Sequence, residues 1–287
     1  MAVVLRTVFL LASLALAGCT SAAFLAANLP AEFGPYGRTA DLVYGPDARQ
    51  KLDVYVPEGT APARRSVVVF IHGGSWESGS KEQYRFVGSA LAEKGYISVL
   101  PNYRLNPDVR FPVFVEDAAR AVAWTLKNID RFGGDPTRVY VMGHSAGAHI
   151  AMLLTLDRHY LAAAGVSADQ LRGAIGLSGP YDFKIDSALL ASVFGSVPDL
   201  QLTQPAHFAR GDAPPLLLIH GSGDRTCRDR NSIQLQALIR AAGGTAELRL
   251  YPGLSHGDTV AGFTKLRRGR APTLDDVAAF IAPQTTK

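Results

Sequence analysis

A serine flanked by glycines is the first feature of this chain that could do chemistry. Residues 143–147 read Gly-His-Ser-Ala-Gly, with Ser145 at the centre. The apolar run 139–142 precedes them and the largely apolar run 148–154 follows, so the sequence predicts a strand, a tight turn and a helix. A serine on such a turn stands clear of the sheet, beside backbone N–H groups that can stabilise an oxyanion. The pattern therefore predicts a nucleophilic serine.

A second segment has the same spacing. Residues 253–257 read Gly-Leu-Ser-His-Gly, but no clear helical start follows them and no histidine lies further along the chain. The Gly-x-Ser-x-Gly turn resembles that of the α/β-hydrolases, and this resemblance implies that the acid and then the histidine follow the serine along the chain. Only Ser145 leaves both downstream, so Ser145 is the predicted nucleophile.

A serine hydroxyl needs a base to take its proton and a carboxylate to orient that base. Of the seven histidines, His256 follows the last predicted strand, 246–251, in a glycine-flanked loop, and it is the predicted base. Asp224 follows the preceding predicted strand in a loop rich in glycine and is the predicted acid, with Asp229 as the alternative. We expect His220, at the end of a buried-looking strand, to make a structural hydrogen bond.

Backbone donors for an oxyanion are expected at the end of an earlier strand. The sequence His-Gly-Gly-Ser-Trp at 72–76 closes an apolar strand. Glycines there allow the backbone to approach a substrate oxygen closely. The N–H groups of Gly73 and Gly74, together with that of Ala146, are therefore the predicted oxyanion hole.

Strand-like and helix-like segments alternate along the chain. The predicted strands lie at 51–56, 66–72, 96–100, 138–142, 173–178, 215–220 and 246–251. The predicted helices lie at 82–94, 115–132, 146–156 and 231–242, with a last one after residue 273. This alternation predicts an α/β fold with a mostly parallel central sheet and helices on both faces. Ligands of such sheets bind at the carboxyl ends of the strands, where the candidate residues lie.

The segment 181–210 interrupts the alternation with apolar residues at helical spacing. We interpret it as a small cap over the pocket, with a crossover helix making ordinary core contacts as the alternative, because helical spacing fits both. Trp76 and Tyr181 are candidates for the pocket wall, and packing in the core is an equally good interpretation of each.

The composition is typical of one sizeable globular domain, with 287 residues of which 47% are hydrophobic and 19% charged. The net charge of +4 is small, and the densest basic cluster, 265–270, is short and contains no aromatic residue. We therefore expect no nucleic-acid partner. The predicted serine chemistry requires no metal and no cofactor.

The N-terminus is typical of a targeting segment. A short positive start and the apolar stretch 8–16 lead to Leu-Ala-Gly-Cys, which ends at Cys19. This resembles the bacterial lipobox, whose cysteine becomes the lipidated first residue. The resemblance implies a signal peptide at 1–18, a lipidated tether at 19–38 and a domain at 39–287, anchored on the extracytoplasmic side of a bacterial cell envelope. An ordinary secretory signal, giving a soluble secreted or periplasmic protein, is the alternative.

Five segments together resemble the esterase/lipase branch of the α/β-hydrolases. They are 72–76, 101–105 (Pro-Asn-Tyr-Arg-Leu), 132–136 (Phe-Gly-Gly-Asp-Pro), 143–149 and 220–224 (His-Gly-Ser-Gly-Asp). The chain is most similar to small carboxylesterases of the feruloyl-esterase-like, isoprenylcysteine-methylesterase-like and kynurenine-formamidase-like group. That resemblance implies Ser145 as nucleophile, Asp224 as acid and His256 as base. Ser75 stands where hormone-sensitive lipases have a third glycine.

The leading hypothesis is a serine carboxylic-ester hydrolase that acts on small-molecule short- to medium-chain or aryl esters through an acyl-enzyme. An amidase or arylformamidase is the enzymatic alternative, because it uses the same groups on a poorer leaving group. A catalytically inactive binding protein anchored in the envelope is the non-enzymatic alternative.

Overall fold

The computed structural model describes residues 22–59 and 63–282. Within this part of the chain, eight strands form one sheet in the order β1-β2-β4-β3-β5-β6-β7-β8. Strands β1, β2 and β4 pair antiparallel, and the remaining pairs are parallel. The strands are β1 (Tyr36–Val43), β2 (Lys51–Pro57), β3 (Arg65–Ile71), β4 (Ile97–Pro101), β5 (Gly134–His144), β6 (Leu171–Leu177), β7 (Leu216–Gly221) and β8 (Ala246–Tyr251).

Helices cover both faces of the sheet. They are α1 (22–28), α2 (Arg85–Glu93), α3 (Val113–Asn128), α4 (Ala146–Leu156), α5 (Arg158–Ala163), α6 (Ala188–Phe194), α7 (Arg230–Ala241), α8 (Asp258–Ala261) and α9 (Thr273–Ile281). Alternate residues of β3 point to opposite layers: Val67 and Val69 pack with α3 and α4, whereas Val68 and Phe70 pack with α2 and α9. This two-sided burial explains why the inner strands are continuous apolar runs. None of the helices in the described ranges has the length and apolar character needed to cross a bilayer.

The seven predicted strands and the five predicted helices are all present. Strand β1 was not predicted, because this edge strand is largely exposed and its polar sequence carries no apolar run. The short helices α5, α6 and α8 were not predicted either, since each has seven residues or fewer. The segment 181–210 contains α6 and two 3-10 helices, Leu200–Thr203 and Pro205–Phe208.

The domain begins before the expected boundary at residue 39, and the expectation of a tether is wrong for residues 22–38. The Phe24 ring lies 5.2 Å from that of Tyr84. The Asn28 side-chain amide donates to two carbonyls at the start of α2 and accepts from the Phe86 N–H at 3.0 Å. Ala31 is buried. Apolar residues at helical spacing therefore pack this segment on α2. The predicted signal peptide, 1–18, and Cys19 lie outside the described residues.

Helix α4 approaches the sheet very closely at its first turn. A Cβ on Gly147 would overlap the Ile71 carbonyl oxygen at the end of β3, and a Cβ on Gly143 would overlap the Gly147 backbone. The two glycines of the Gly-x-Ser-x-Gly motif are thus needed where strand β5, helix α4 and strand β3 meet. This close contact fixes the turn between β5 and α4.

We predict that Gly147→Ala destabilises the fold, although alanine is normally the better helix former. Overpacking against the β3 backbone should lower the free energy of unfolding by about 2 kcal/mol or more. Gly37→Ala is the matched control, because a Cβ there would contact nothing within 4 Å, and it should change stability by less than about 0.5 kcal/mol. Urea unfolding of both variants checks this, and equal stability would contradict the packing argument.

Candidate active site

Ser145 occupies a strained turn at the carboxyl end of β5. Its backbone has φ 55° and ψ −120°, a left-handed conformation that residues other than glycine rarely adopt. The Ser145 N–H donates to the Leu177 carbonyl at 2.9 Å, which fixes the turn to the neighbouring strand β6. Helix α4 begins at the next residue. The predicted strand-turn-helix junction is therefore present, with the serine at its apex.

The structure brings Ser145, His256 and Asp224 into one hydrogen-bonded chain. His256 Nε2 lies 2.9 Å from Ser145 Oγ, and His256 Nδ1 lies 2.7 Å from Asp224 Oδ2. A neutral His256 with its proton on Nδ1 donates to the carboxylate and leaves Nε2 free to accept the serine proton. Residues 111 positions apart in sequence thus meet in the geometry that serine activation requires. Asp229, the alternative acid, is at the N-terminus of α7 and does not take part in these contacts.

The Asp224 carboxylate is buried and well supplied with donors. Its Oδ1 accepts from the N–H groups of Thr226 and Cys227 at 2.9 and 2.8 Å. Burial alone would raise the pKa of Asp224, but hydrogen bonds from His220 and His256 and from the Cys227 backbone hold the pKa well below its usual range. Asp224 is therefore a carboxylate at neutral pH.

His220 contacts Asp224. We expected His220 to make a structural hydrogen bond, but we did not predict this contact. Its Nδ1 lies 2.8 Å from Ser232 Oγ, and its Nε2 lies 2.8 Å from the Cys227 carbonyl oxygen. The same Nε2 lies 3.3 Å from Asp224 Oδ2. A proton on Nε2 satisfies both acceptors, so His220 holds the loop that carries the acid. The only sequence signal is its spacing of four residues from Asp224.

Three further buried histidines remain neutral at neutral pH. Burial lowers the pKa of His144 to about 3 and the pKa values of His72 and His149 to about 4. His144 Nε2 lies 3.1 Å from the His256 carbonyl oxygen and donates its proton there. Neutral His144 therefore helps to position the loop of His256 without adding a competing charge.

The glycine loop at 72–76 lies directly beside the serine. A Cβ on Gly73 would lie 2.9 Å from the His144 carbonyl oxygen and 3.3 Å from Ser145 Cβ. Within the described ranges, the N–H groups of Gly74 and Ala146 donate to no protein acceptor. The assignment of Gly73, Gly74 and Ala146 as the oxyanion hole stays a prediction.

Ser75, which we did not predict as a site residue, lines the cavity together with Ser145. Its φ of 54° keeps the left-handed conformation that a third glycine would adopt at this position. The sequence signal was its place in the glycine pattern.

The segment 101–105 packs against the glycine loop at 72–76. The Tyr103 ring stacks on His72 at 4.3 Å with an interplanar angle of 15°, and its hydroxyl donates to the His72 carbonyl at 3.0 Å. The guanidinium of Arg104, the next residue, donates two hydrogen bonds to the buried Asp117 carboxylate. A buried aromatic stack and an ion pair between half-buried Arg104 and buried Asp117 thus hold the strained loop in place.

A cavity of ≈ 380 Å³ opens beside Ser145. Trp76 lines it, as expected, and stacks on Phe183 at 6.0 Å and meets Phe194 edge-on at 4.9 Å. Phe183, Leu189 and Leu190 of the segment 181–210 also line the cavity, whereas Phe194 is fully buried in the core. Both interpretations of this segment therefore hold, since one side covers the cavity and the other packs like a crossover helix.

Of the two interpretations of Tyr181, the structure supports packing in the core. Its side chain is fully buried, and its ring and hydroxyl lie against Gly176 and Gly179, where a Cβ would overlap them. It packs with Met152 and Leu235 between α4 and α7. Its position in the chain made Tyr181 a candidate for the pocket wall. Gly176 and Gly179 have no side chains, however, and the tyrosine side chain fills the space that they leave.

Similarity to known proteins agrees with this geometry. The BD-FAE family model matches residues 52–239. The chain belongs to the BD-FAE family. It is 34% identical over 262 residues to the isoprenylcysteine alpha-carbonyl methylesterase ICME of Arabidopsis thaliana, covering 84% of this chain and 61% of that protein. It is 31% identical to the esterase LipQ of Mycobacterium tuberculosis, covering 84% of this chain and 63% of that protein.

Solved structures extend the comparison. Esterase 2 of Thermogutta terrifontis superimposes with a TM-score of 0.72 at 26% identity, covering 88% of this chain and 96% of that chain. The predicted α/β-hydrolase fold and the resemblance to its esterase branch are confirmed. The chain spans only about three fifths of the length of the curated relatives it matches.

Across residues 22–59 and 63–282, no group of three or more His, Cys, Asp or Glu side chains is arranged to hold a metal ion. The polar groups beside Ser145 instead form the linear chain described above.

We predict that Asp224→Asn slows the reaction of Ser145 with a fluorophosphonate probe by at least about 100-fold, because the equivalent change in a serine protease costs about 10⁴ in kcat. An amide at this position presents a donor to His256 Nδ1, so the ring carries its proton on Nε2 and cannot accept from serine. The control is Asp229→Asn, which should react at nearly the parent rate. Labelling rates followed by mass spectrometry decide the assignment, and a slower Asp229→Asn would transfer the acid role to Asp229.

Proposed function

We propose that this protein is a serine carboxylic-ester hydrolase. The observation that carries the proposal is the hydrogen-bonded chain from Asp224 through His256 to Ser145, at the mouth of a cavity on the carboxyl side of the sheet. The names of the relatives support it, since they are a methylesterase and an esterase.

The chemistry follows from the positions of these groups. Ser145 Oγ bonds to the ester carbonyl carbon while its proton passes to His256 Nε2. Asp224 stabilises the imidazolium that forms, and backbone N–H groups of the 72–76 loop and of Ala146 bind the oxyanion. One such donor contributes about 3 kcal/mol of transition-state stabilisation.

Collapse of this first intermediate breaks the bond to the alcohol, which leaves with the proton from His256. Water then attacks the acyl-enzyme, gives a proton to His256 Nε2, and releases the acid as that proton returns to Ser145. The protein ends each cycle in its starting protonation state.

The size and lining of the cavity suggest short- to medium-chain or aryl esters. Its ≈ 380 Å³ is at the lower end of small-molecule sites. Trp76, Phe183 and Leu190 provide an apolar wall for an acyl chain or an aromatic ring. Structures of the Thermogutta terrifontis esterase with propionate or butyrate bound, at 25% identity to this chain, support a preference for short acyl groups.

A p-nitrophenyl ester series from acetate to laurate tests this function. We predict that the parent protein hydrolyses the short esters fastest and that Ser145→Ala lowers kcat by about 10³-fold or more, because the nucleophile is lost. Ser255→Ala is the matched control, since Ser255 is at the centre of the other Gly-x-Ser-x-Gly segment and its hydroxyl bonds only Asp258. Equal hydrolysis by the parent and Ser145→Ala would rule out the mechanism.

We further propose that the protein is lipid-anchored at Cys19 on the extracytoplasmic side of a bacterial envelope. The sequence Leu-Ala-Gly-Cys supports this. Helix α1 starts three residues later and packs on Tyr84, whose ring lies 6.4 Å from His144. An anchor at Cys19 would therefore hold the edge of the domain that carries the candidate site close to the membrane.

We predict that Cys19→Ser abolishes incorporation of an alkyne-labelled fatty acid in a bacterial host and moves the protein out of the membrane fraction. The variant lacks the thiol that would carry the lipid. Cys227→Ser should keep the label, because Cys227 is buried in the domain. A parent protein that takes up no label would show that the segment acts as an ordinary secretory signal or not at all, and label retained by Cys19→Ser would show that the lipid is not attached to Cys19.

A further inference from the structure

The cavity beside Ser145 has a positively charged rim. Lys184 from the cap segment and Arg228 and Arg230 from the loop after Asp224 line it, and the one acidic residue in the lining is Asp186. We propose that the preferred substrate is an ester that carries a carboxylate, and that these three cations bind this group. The proposal rests on the proposed esterase function and names its substrate class.

The three cations have no carboxylate partner in the described part of the chain, because none of them forms an ion pair within 4.0 Å. Some arginines elsewhere in the described chain are paired with carboxylates. Arg158 and Arg210 share Asp212, and Arg268 pairs with Glu93. The cavity rim therefore carries three positive charges without an ion-pair partner, and a ligand carboxylate could provide one.

The position of Arg230 is unfavourable for the helix that carries it. Arg230 is the first residue of the twelve-residue α7, and Arg228 precedes it by two positions. The N-terminus of a helix carries partial positive charge and normally favours Asp or Glu, so cations there reduce stability. Residues that lower the stability of the fold at their own position are expected at functional sites. The helix dipole also adds to the positive potential at the rim.

The rest of the cavity lining is apolar. Trp76, Phe183 and Leu190 lie on the same cavity as the cations, so the site has an apolar part and a cationic part. A fitting ester has an alkyl or aryl body and a single carboxylate, on either its acyl or its alcohol side. Half-esters of dicarboxylic acids and esters of hydroxybenzoic acids have this chemistry.

Two matched substrate pairs test the proposal. For the acyl side, mono-p-nitrophenyl glutarate is compared with the p-nitrophenyl ester of glutaric acid monoamide, with spontaneous hydrolysis subtracted. For the alcohol side, 4-acetoxybenzoate is compared with 4-acetoxybenzamide. The measured quantity is the ratio of kcat/KM between the charged and neutral members. In the parent protein we expect a ratio of about ten in at least one pair at low ionic strength, and a decrease in 0.5 M NaCl because salt screens exposed charges.

The variant Arg228→Gln/Arg230→Gln should reduce that ratio about tenfold, and Lys184→Gln should reduce it by a smaller factor, as expected for partly exposed charge pairs. Arg225→Gln is the matched control. It removes the same charge from an exposed residue of the same loop that does not line the cavity, and it should leave the ratio unchanged. Arg230→Lys, which keeps the charge, should retain most of the preference.

Ratios near one for both pairs in the parent protein, or an unchanged ratio in Arg228→Gln/Arg230→Gln, would overturn the proposal. The salt dependence of the parent protein tests it without any variant, so a variant that folds poorly does not prevent a decision. If the parent hydrolyses the neutral esters no faster than Ser145→Ala, the proposed function itself fails. The pair that shows the preference identifies the side of the ester that carries the carboxylate.

Discussion

The position of the Ser145 hydroxyl depends on how closely helix α4 approaches the sheet. Gly143 and Gly147 remove the two side chains that would separate β5, α4 and β3, and the backbones meet directly. The chain can then reverse from strand to helix only through a left-handed residue, and that residue is Ser145. The strain is opposed by α4, whose residues are all buried, and by the bond from the Ser145 N–H to β6. Packing of the core therefore holds the half-buried Ser145 side chain beside the cavity.

A second constraint is the negative charge buried at Asp224. A buried carboxylate is costly unless donors surround it, and here two backbone N–H groups and two imidazoles fill that role. The other histidines near the site stay neutral because burial lowers their pKa values. The site therefore has one fixed carboxylate and one histidine between it and the serine, and a proton that leaves Ser145 has a single acceptor in reach.

The sequence could predict those strands, turns and site residues for which the local sequence pattern favours the structure that the whole fold adopts. Ser145, His256 and Asp224 follow strands with continuous apolar runs, and their loops contain glycines that mark the turns. Residues 22–38 were misread because alanine, glycine and proline suggested a tether, whereas the packing of Phe24 and Ala31 depends on α2, which is distant in sequence. The sequence could not decide between the two interpretations of Tyr181 for a related reason, since its side chain fills space left by Gly176 and Gly179. Such complementarity between distant residues has no local signature.

The cap segment shows how the core sets the shape of the cavity. Its inner side is fixed by buried contacts: the Thr203 carbonyl oxygen lies 2.7 Å from His149 Nε2, the Phe111 N–H donates to the Val193 carbonyl at 3.0 Å, and Phe194 packs against Trp76. Residues on the other side of the same short stretch, such as Leu189 and Leu190, face the cavity. Because the two sides are only a helical turn apart, the cavity wall cannot move far without disturbing the core. The apolar part of the site is therefore largely preformed.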